Sequence, residues 1–119
     1  MSYIDGFVIA VPTANKEAYR EMSRRVSVMF KEIGALQVVE CWGDDVPAGK
    51  VTDFAGAVKA TADETVVFAW VWWPSKEARD EGNEKMRTDP RMQTPADIPF
   101  DGARMIFGGF DVIFDSNEG

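Results

Sequence analysis

The run Thr65-Val66-Val67-Phe68-Ala69-Trp70-Val71-Trp72-Trp73-Pro74 is apolar at both parities of a strand. Val66, Phe68, Trp70 and Trp72 point to one side, and Val67, Ala69, Val71 and Trp73 to the other. A half-exposed antiparallel strand alternates with polar residues, so a sheet built on this one must be covered on both faces. Tyr3–Val11 reads as a companion strand, apolar on both sides apart from Asp5 and closed by Pro12. Between them Tyr19, Met22, Val26, Met29 and Ile33 recur at spacings of three and four, with Arg20, Glu21, Arg24, Arg25, Lys31 and Glu32 over much of the remainder. That spacing predicts an amphipathic helix with Asn15 as its N-cap, Glu17 in its first turn and Gly34 ending it.

Ala35–Trp42 predicts a second strand and Thr65–Trp73 a third. Ser75 is placed to cap a second helix from Lys76 to Thr88, which Asp89-Pro90 stops because the residue before proline avoids helical geometry. Arg104–Phe114 predicts a fourth strand, with Gly108-Gly109 read as a bulge or, second, as a close approach of another backbone or a ligand. The order β-α-β-β-α-β is the ferredoxin-like split pattern: an α+β fold, a four-stranded antiparallel sheet with two helices on one face, and a single domain over residues 1–119. Four strands about 4.8 Å apart make a sheet roughly 19 Å wide, which two helices about 10 Å across cover on one side only. The other side calls for a second copy's sheet or a ligand. The connections Gly43–Glu64 and Thr88–Ala103 are too long for plain turns, and Phe54, Ile98 and Phe100 argue that both are ordered, with one helical turn at Phe54–Val58.

The pattern Asp5-Gly6-Phe7-Val8, Trp42-Gly43-Asp44-Asp45-Val46-Pro47, Gly49-Lys50, Thr52-Asp53-Phe54, Trp73-Pro74-Ser75-Lys76, Asp89-Pro90-Arg91-Met92, Phe100-Asp101-Gly102 and Arg104-Met105-Ile106-Phe107-Gly108-Gly109-Phe110 resembles the YbaA-like bacterial family of unknown function over essentially the whole chain. The resemblance implies the dimeric α+β barrel superfamily, a homodimer whose two sheets face each other. It implies no catalytic residue.

Composition narrows the chemistry. The chain has no histidine and one cysteine, Cys41, so it cannot build a Ser-His-Asp or Cys-His nucleophile, an internal disulfide or the usual zinc sites. No metal and no cofactor is expected, and any metal would need an oxygen-only shell. Cys41 is expected to be a buried, inert thiol. Thirteen Lys and Arg against 20 Asp and Glu give a net charge of −7, which argues against nucleic acid as a partner. The longest apolar run is too short for a membrane span and the N-terminus lacks a signal-peptide pattern, so a cytoplasmic protein is expected.

The candidate site gathers residues from the two long loops and the aromatic strand. Asp44, at the end of the second strand, is the candidate catalytic base, set against a turn or cap role. Trp42, Lys50 and Arg104 are candidate ligand contacts at the same end of the sheet, Arg104 as an anion anchor or as the local partner of Asp101. Lys50 is not part of a P-loop, because Val51 follows it. Trp70 and Trp72 offer an aromatic wall for a ligand, or core and dimer packing. The leading expectation is a homodimer binding a small organic molecule, with a cofactor-independent activity of monooxygenase or isomerase kind left open. The alternatives are an RNA-binding module of the same strand order and a structural or regulatory dimer without ligand.

Overall fold

In the computed structural model, which describes residues 2–92 and 98–117, the two most apolar segments are the two central strands. β1 (Tyr3–Pro12) and β3 (Glu64–Trp73) pair antiparallel from Tyr3↔Trp73 to Pro12↔Glu64. β2 (Gln37–Trp42) flanks β3 and β4 (Ile106–Asp111) flanks β1, both antiparallel. The sheet order β2-β3-β1-β4 is the ferredoxin-like one. Among the described residues no helix is long and apolar enough to cross a membrane. For residues 93–97 the expectation of an ordered second loop lies outside the described residues.

One face of the sheet carries α1 (Lys16–Glu32) and α3 (Lys76–Thr88). Beneath them Tyr3, Ile9 and Val11 of β1 are buried together with Val67, Ala69, Val71 and Trp73 of β3, and Tyr19 and Met29 of α1 join them from above. α3 has few apolar residues, and it approaches the sheet through Gly82: a Cβ there would lie 2.6 Å from Cζ3 of Trp73. The Trp73 indole is fully buried and donates its Nε1–H to Asp5 Oδ2 at 3.0 Å. Arg79 of α3 completes the pairing, its Nη2 donating to Asp5 Oδ1 at 2.9 Å. A buried carboxylate is tolerated only when compensated in this way.

The second face is only partly open. α2 (Phe54–Ala57), a single turn capped by Asp53, lies at one end of it, where Val58 is buried against Ala10 and Val66. The remainder runs in three rows set by the register: Gln37, Trp72, Ile4 and Phe110; Val39, Trp70, Gly6 and Gly108; Cys41, Phe68, Val8 and Ile106. None of these positions is charged. Phe54 and Phe68 meet edge to face at 6.2 Å, and Phe68 and Trp70 lie 5.8 Å apart.

Several local expectations change. Asn15 makes no cap bond; its Nδ2 donates instead to the Pro99 carbonyl at 3.0 Å, and α1 is entered through the 3-10 turn Thr13–Asn15. Ser75 does cap α3, accepting from the Ala78 N–H at 3.1 Å. β2 begins at Gln37 rather than Ala35. β4 is shorter than expected: Arg104 belongs to the 3-10 turn Gly102–Arg104, and pairing ends at Asp111 because its partner strand begins at Tyr3. No bulge interrupts it, since Gly6↔Gly108 and Asp5↔Gly109 keep one register. Gly109 is instead bare because the Tyr3 ring and the Arg79 guanidinium occupy the space a side chain would need. Cys41 is exposed on the uncovered face rather than buried.

Candidate functional site

β2 is an edge strand, and the first half of α1 lies over it. Tyr19 and Ser23 stand one turn apart on α1, while Glu40 and Trp42 are two apart on β2 and face the helix. The Tyr19 hydroxyl donates to Glu40 Oε1 at 2.6 Å. A cavity of about 130 Å³ opens around this pair, with Trp42 and Val67 as its apolar wall and Lys16 and Arg20 at its rim. A cavity of about 150 Å³ is known to hold a benzene ring, so the space is that of one small ring.

The electrostatics of the cleft follow from burial. Glu40 is exposed as a whole residue, yet its carboxyl is crowded enough that desolvation raises its pKa above the ordinary 4.5, with the Tyr19 bond acting weakly the other way. The Tyr19 phenol is pushed above its ordinary 10.0, first by burial and then by the Glu40 charge, so it stays protonated and donates. Ser23, 9% exposed, also borders the cavity, its hydroxyl enclosed beneath the surface and close to the Tyr19 hydroxyl. At the rim the Lys16 ammonium sits 5.6 Å from the centre of the Trp42 ring. The Arg20 guanidinium is held by Glu17 at 3.2 Å. The arrangement provides a paired phenol, one acceptor of raised proton affinity, an aromatic wall and two rim cations.

Of the residues singled out in the sequence, Trp42 belongs to this cleft. Asp44 is exposed beyond β2 and lines a second hollow, which Trp42 shares together with Asp45, Phe54 and Phe68. Lys50 is exposed in the connection to α2. Trp70 and Trp72 are half-buried in the rows of the uncovered face. Arg104 is not brought to Asp44: its Nη1 and Nη2 donate to the two Glu64 carboxylate oxygens at 2.8 and 2.6 Å, and its Nε to Asp101 at 3.0 Å. Nη1 also donates to the Lys59 carbonyl at 2.8 Å, so four of the five guanidinium N–H groups already meet protein acceptors. Strand order explains the separation, for β2 and β4 are opposite edges with β3 and β1 between them.

The sequence reading missed Glu40 and Ser23 and took Tyr19 as core alone. The signal for Glu40 was its parity: it stands in phase with Val38 and Trp42, so a charge points toward the helix side of the sheet. Among the described residues no three Cys, Asp or Glu side chains converge as a metal site.

Fold and cleft together define an α+β protein of ferredoxin-like strand order with a small polar-floored hollow between its first helix and an edge strand. The family described as a protein of unknown function, DUF1428, matches residues 2–102, and the chain belongs to it. It is 59% identical over 116 residues to the uncharacterized protein YbaA of Escherichia coli strain K12, covering 97% of this chain and 99% of that protein. The YbaA protein of Shigella flexneri matches to the same extent.

Proposed function

We propose that the chain is a cytoplasmic homodimer that binds a small organic molecule between α1 and β2. The observation that carries this reading is the Tyr19–Glu40 hydrogen bond of 2.6 Å at the wall of a ring-sized cavity. Small-molecule sites are concave and largely apolar with a few convergent polar groups, which is the arrangement here. A carboxyl with raised proton affinity also suits proton transfer, so an isomerase-like reaction would use Glu40 in place of Asp44.

The homodimer rests on the three uncharged rows of the second face, where Phe68 is 46% and Phe110 61% exposed. Phe68, Trp70 and Trp72 also stand where a fold of this order would stack RNA bases. The rows contain no Lys or Arg, and the net charge of −7 opposes phosphate, so a second copy fits better than nucleic acid.

Native mass spectrometry of the purified protein tests both parts. A species of twice 13.2 kDa carrying a small co-purified molecule is expected, with the molecule lost in Glu40→Ala. A ligand-free species, or a bound molecule indifferent to Glu40→Ala, would overturn the cleft as the site. A monomer at micromolar concentration would overturn the assembly.

A further inference from the structure

The α1–β2 cleft is lined by two cations, Lys16 and Arg20, and by the carboxyl of Glu40. The two kinds of polar group are also sorted by depth. Lys16 and Arg20 are exposed, whereas Tyr19 and Ser23 are buried at 4% and 9% exposure. Arg20 is occupied by Glu17, but among the described residues Lys16 has no carboxylate partner and rests only against the Trp42 ring. From this sorting we infer that the ligand is a ring-sized organic acid, its carboxylate meeting Lys16 at the mouth and its ring polar group meeting Glu40 at the floor. The inference rests on the binding reading above and adds the chemical class.

Three observations set the class. The volume of about 130 Å³ admits one six-membered ring and little more. Trp42 and Val67 give that ring an apolar wall, while Glu40 supplies an acceptor for a hydroxyl. The third is charge. A tryptophan beside a carboxyl could in principle hold an amine, but the face of Trp42 is already taken by the Lys16 ammonium, which repels a second cation and attracts a carboxylate.

The test uses three probes of one size and shape: 4-hydroxybenzoate, 4-hydroxybenzamide and 4-hydroxybenzylamine. Binding is read from the indole N–H resonance of Trp42, assigned with Trp42→Phe. The acid is expected to shift that resonance with a Kd at least tenfold below those of the amide and the amine. Lys16→Met, a change at an exposed position, should erase the tenfold advantage without changing the fold. An amide or amine that binds as tightly as the acid, or an advantage untouched by Lys16→Met, would overturn the acid assignment and leave the cleft standing as a site. Failure of all three probes to move Trp42 at millimolar concentration would overturn the binding reading, and the acid assignment with it.

Discussion

Arg104 holds Glu64 through two parallel hydrogen bonds of 2.8 and 2.6 Å, tying the turn before β4 to the first residue of β3 across the end of β1. The Arg104 bonds, followed by the Thr61 N–H, lower the Glu64 pKa from 4.5 to about 2. A carboxylate depressed in the folded state contributes stability that is present above its unfolded pKa and fades as pH falls toward the folded one. Glu64→Gln should therefore melt below the parent at neutral pH, and the two curves should converge as pH falls from 4.5 to about 2. Thermal melts across that range check it; a constant gap down to the acid end would show that the charge is not what matters.

Glu40 titrates with the opposite sign. Its folded pKa is raised by burial, so the folded state loses stability as pH rises from 4.5 through the folded value. Glu40→Gln keeps an acceptor for the Tyr19 hydroxyl and removes the charge. It is expected to raise stability at neutral pH and flatten the pH dependence above 4.5. Urea unfolding at acidic and neutral pH measures both. A variant less stable than the parent at neutral pH would contradict them.

Gly82→Ala sets helix propensity against packing. Alanine favours a helix interior over glycine by about 1 kcal/mol. Here its Cβ would lie 2.6 Å from the Trp73 ring and 3.2 Å from the Ile33 carbonyl, an overlap that only movement of α3 can relieve. Overpacking of this kind costs about 1–3 kcal/mol, so a net loss is expected from chemical denaturation. An alanine variant as stable as the parent would mean that α3 can lift away from the sheet freely.

The fold was legible where the chain repeats its signal at both parities. β1 and β3 declared themselves as central strands because neither side of either could face water, and the separation of Trp70 and Trp72 from Trp73 followed from alternation alone. Which side receives the helices did not follow, because both are apolar. The large aromatic held deepest is thus Trp73, while Trp72 stays half-buried. The end of β4 was invisible for a related reason: Ile113 and Phe114 continue the apolar pattern, but the paired register stops at Tyr3↔Asp111. Local partners were readable, as with Asp101 and Arg104 three residues apart, whereas Glu64, 40 residues away, was not. Trp42 could be picked as a wall. Tyr19 and Glu40 could not be joined, since one looks like core and the other like surface until α1 settles on β2.

The uncovered face supplies a concentration test. Trp70 stands in the middle row between Val39 and Gly6, with uncharged neighbours on every side. An aspartate there would leave an unpaired charge in any face-to-face contact, at a cost of several kcal/mol. Trp70→Asp should sediment as a monomer of 13.2 kDa at concentrations where the parent sediments at twice that mass. The parent's melting temperature should also rise with protein concentration, and the variant's should not. Equal sedimentation of the two would remove this face from the assembly.

The cleft and the uncharged rows lie on opposite sides of the same sheet. Glu40 and Trp42 look toward α1, while Val39 and Cys41 look away. A pair of chains joined through the rows would carry its two hollows on the outside, each walled by a single chain. Occupancy of one would then be independent of the other, giving two equivalents per pair and a hyperbolic isotherm. Dilution to the separated chains would leave the intrinsic affinity unchanged.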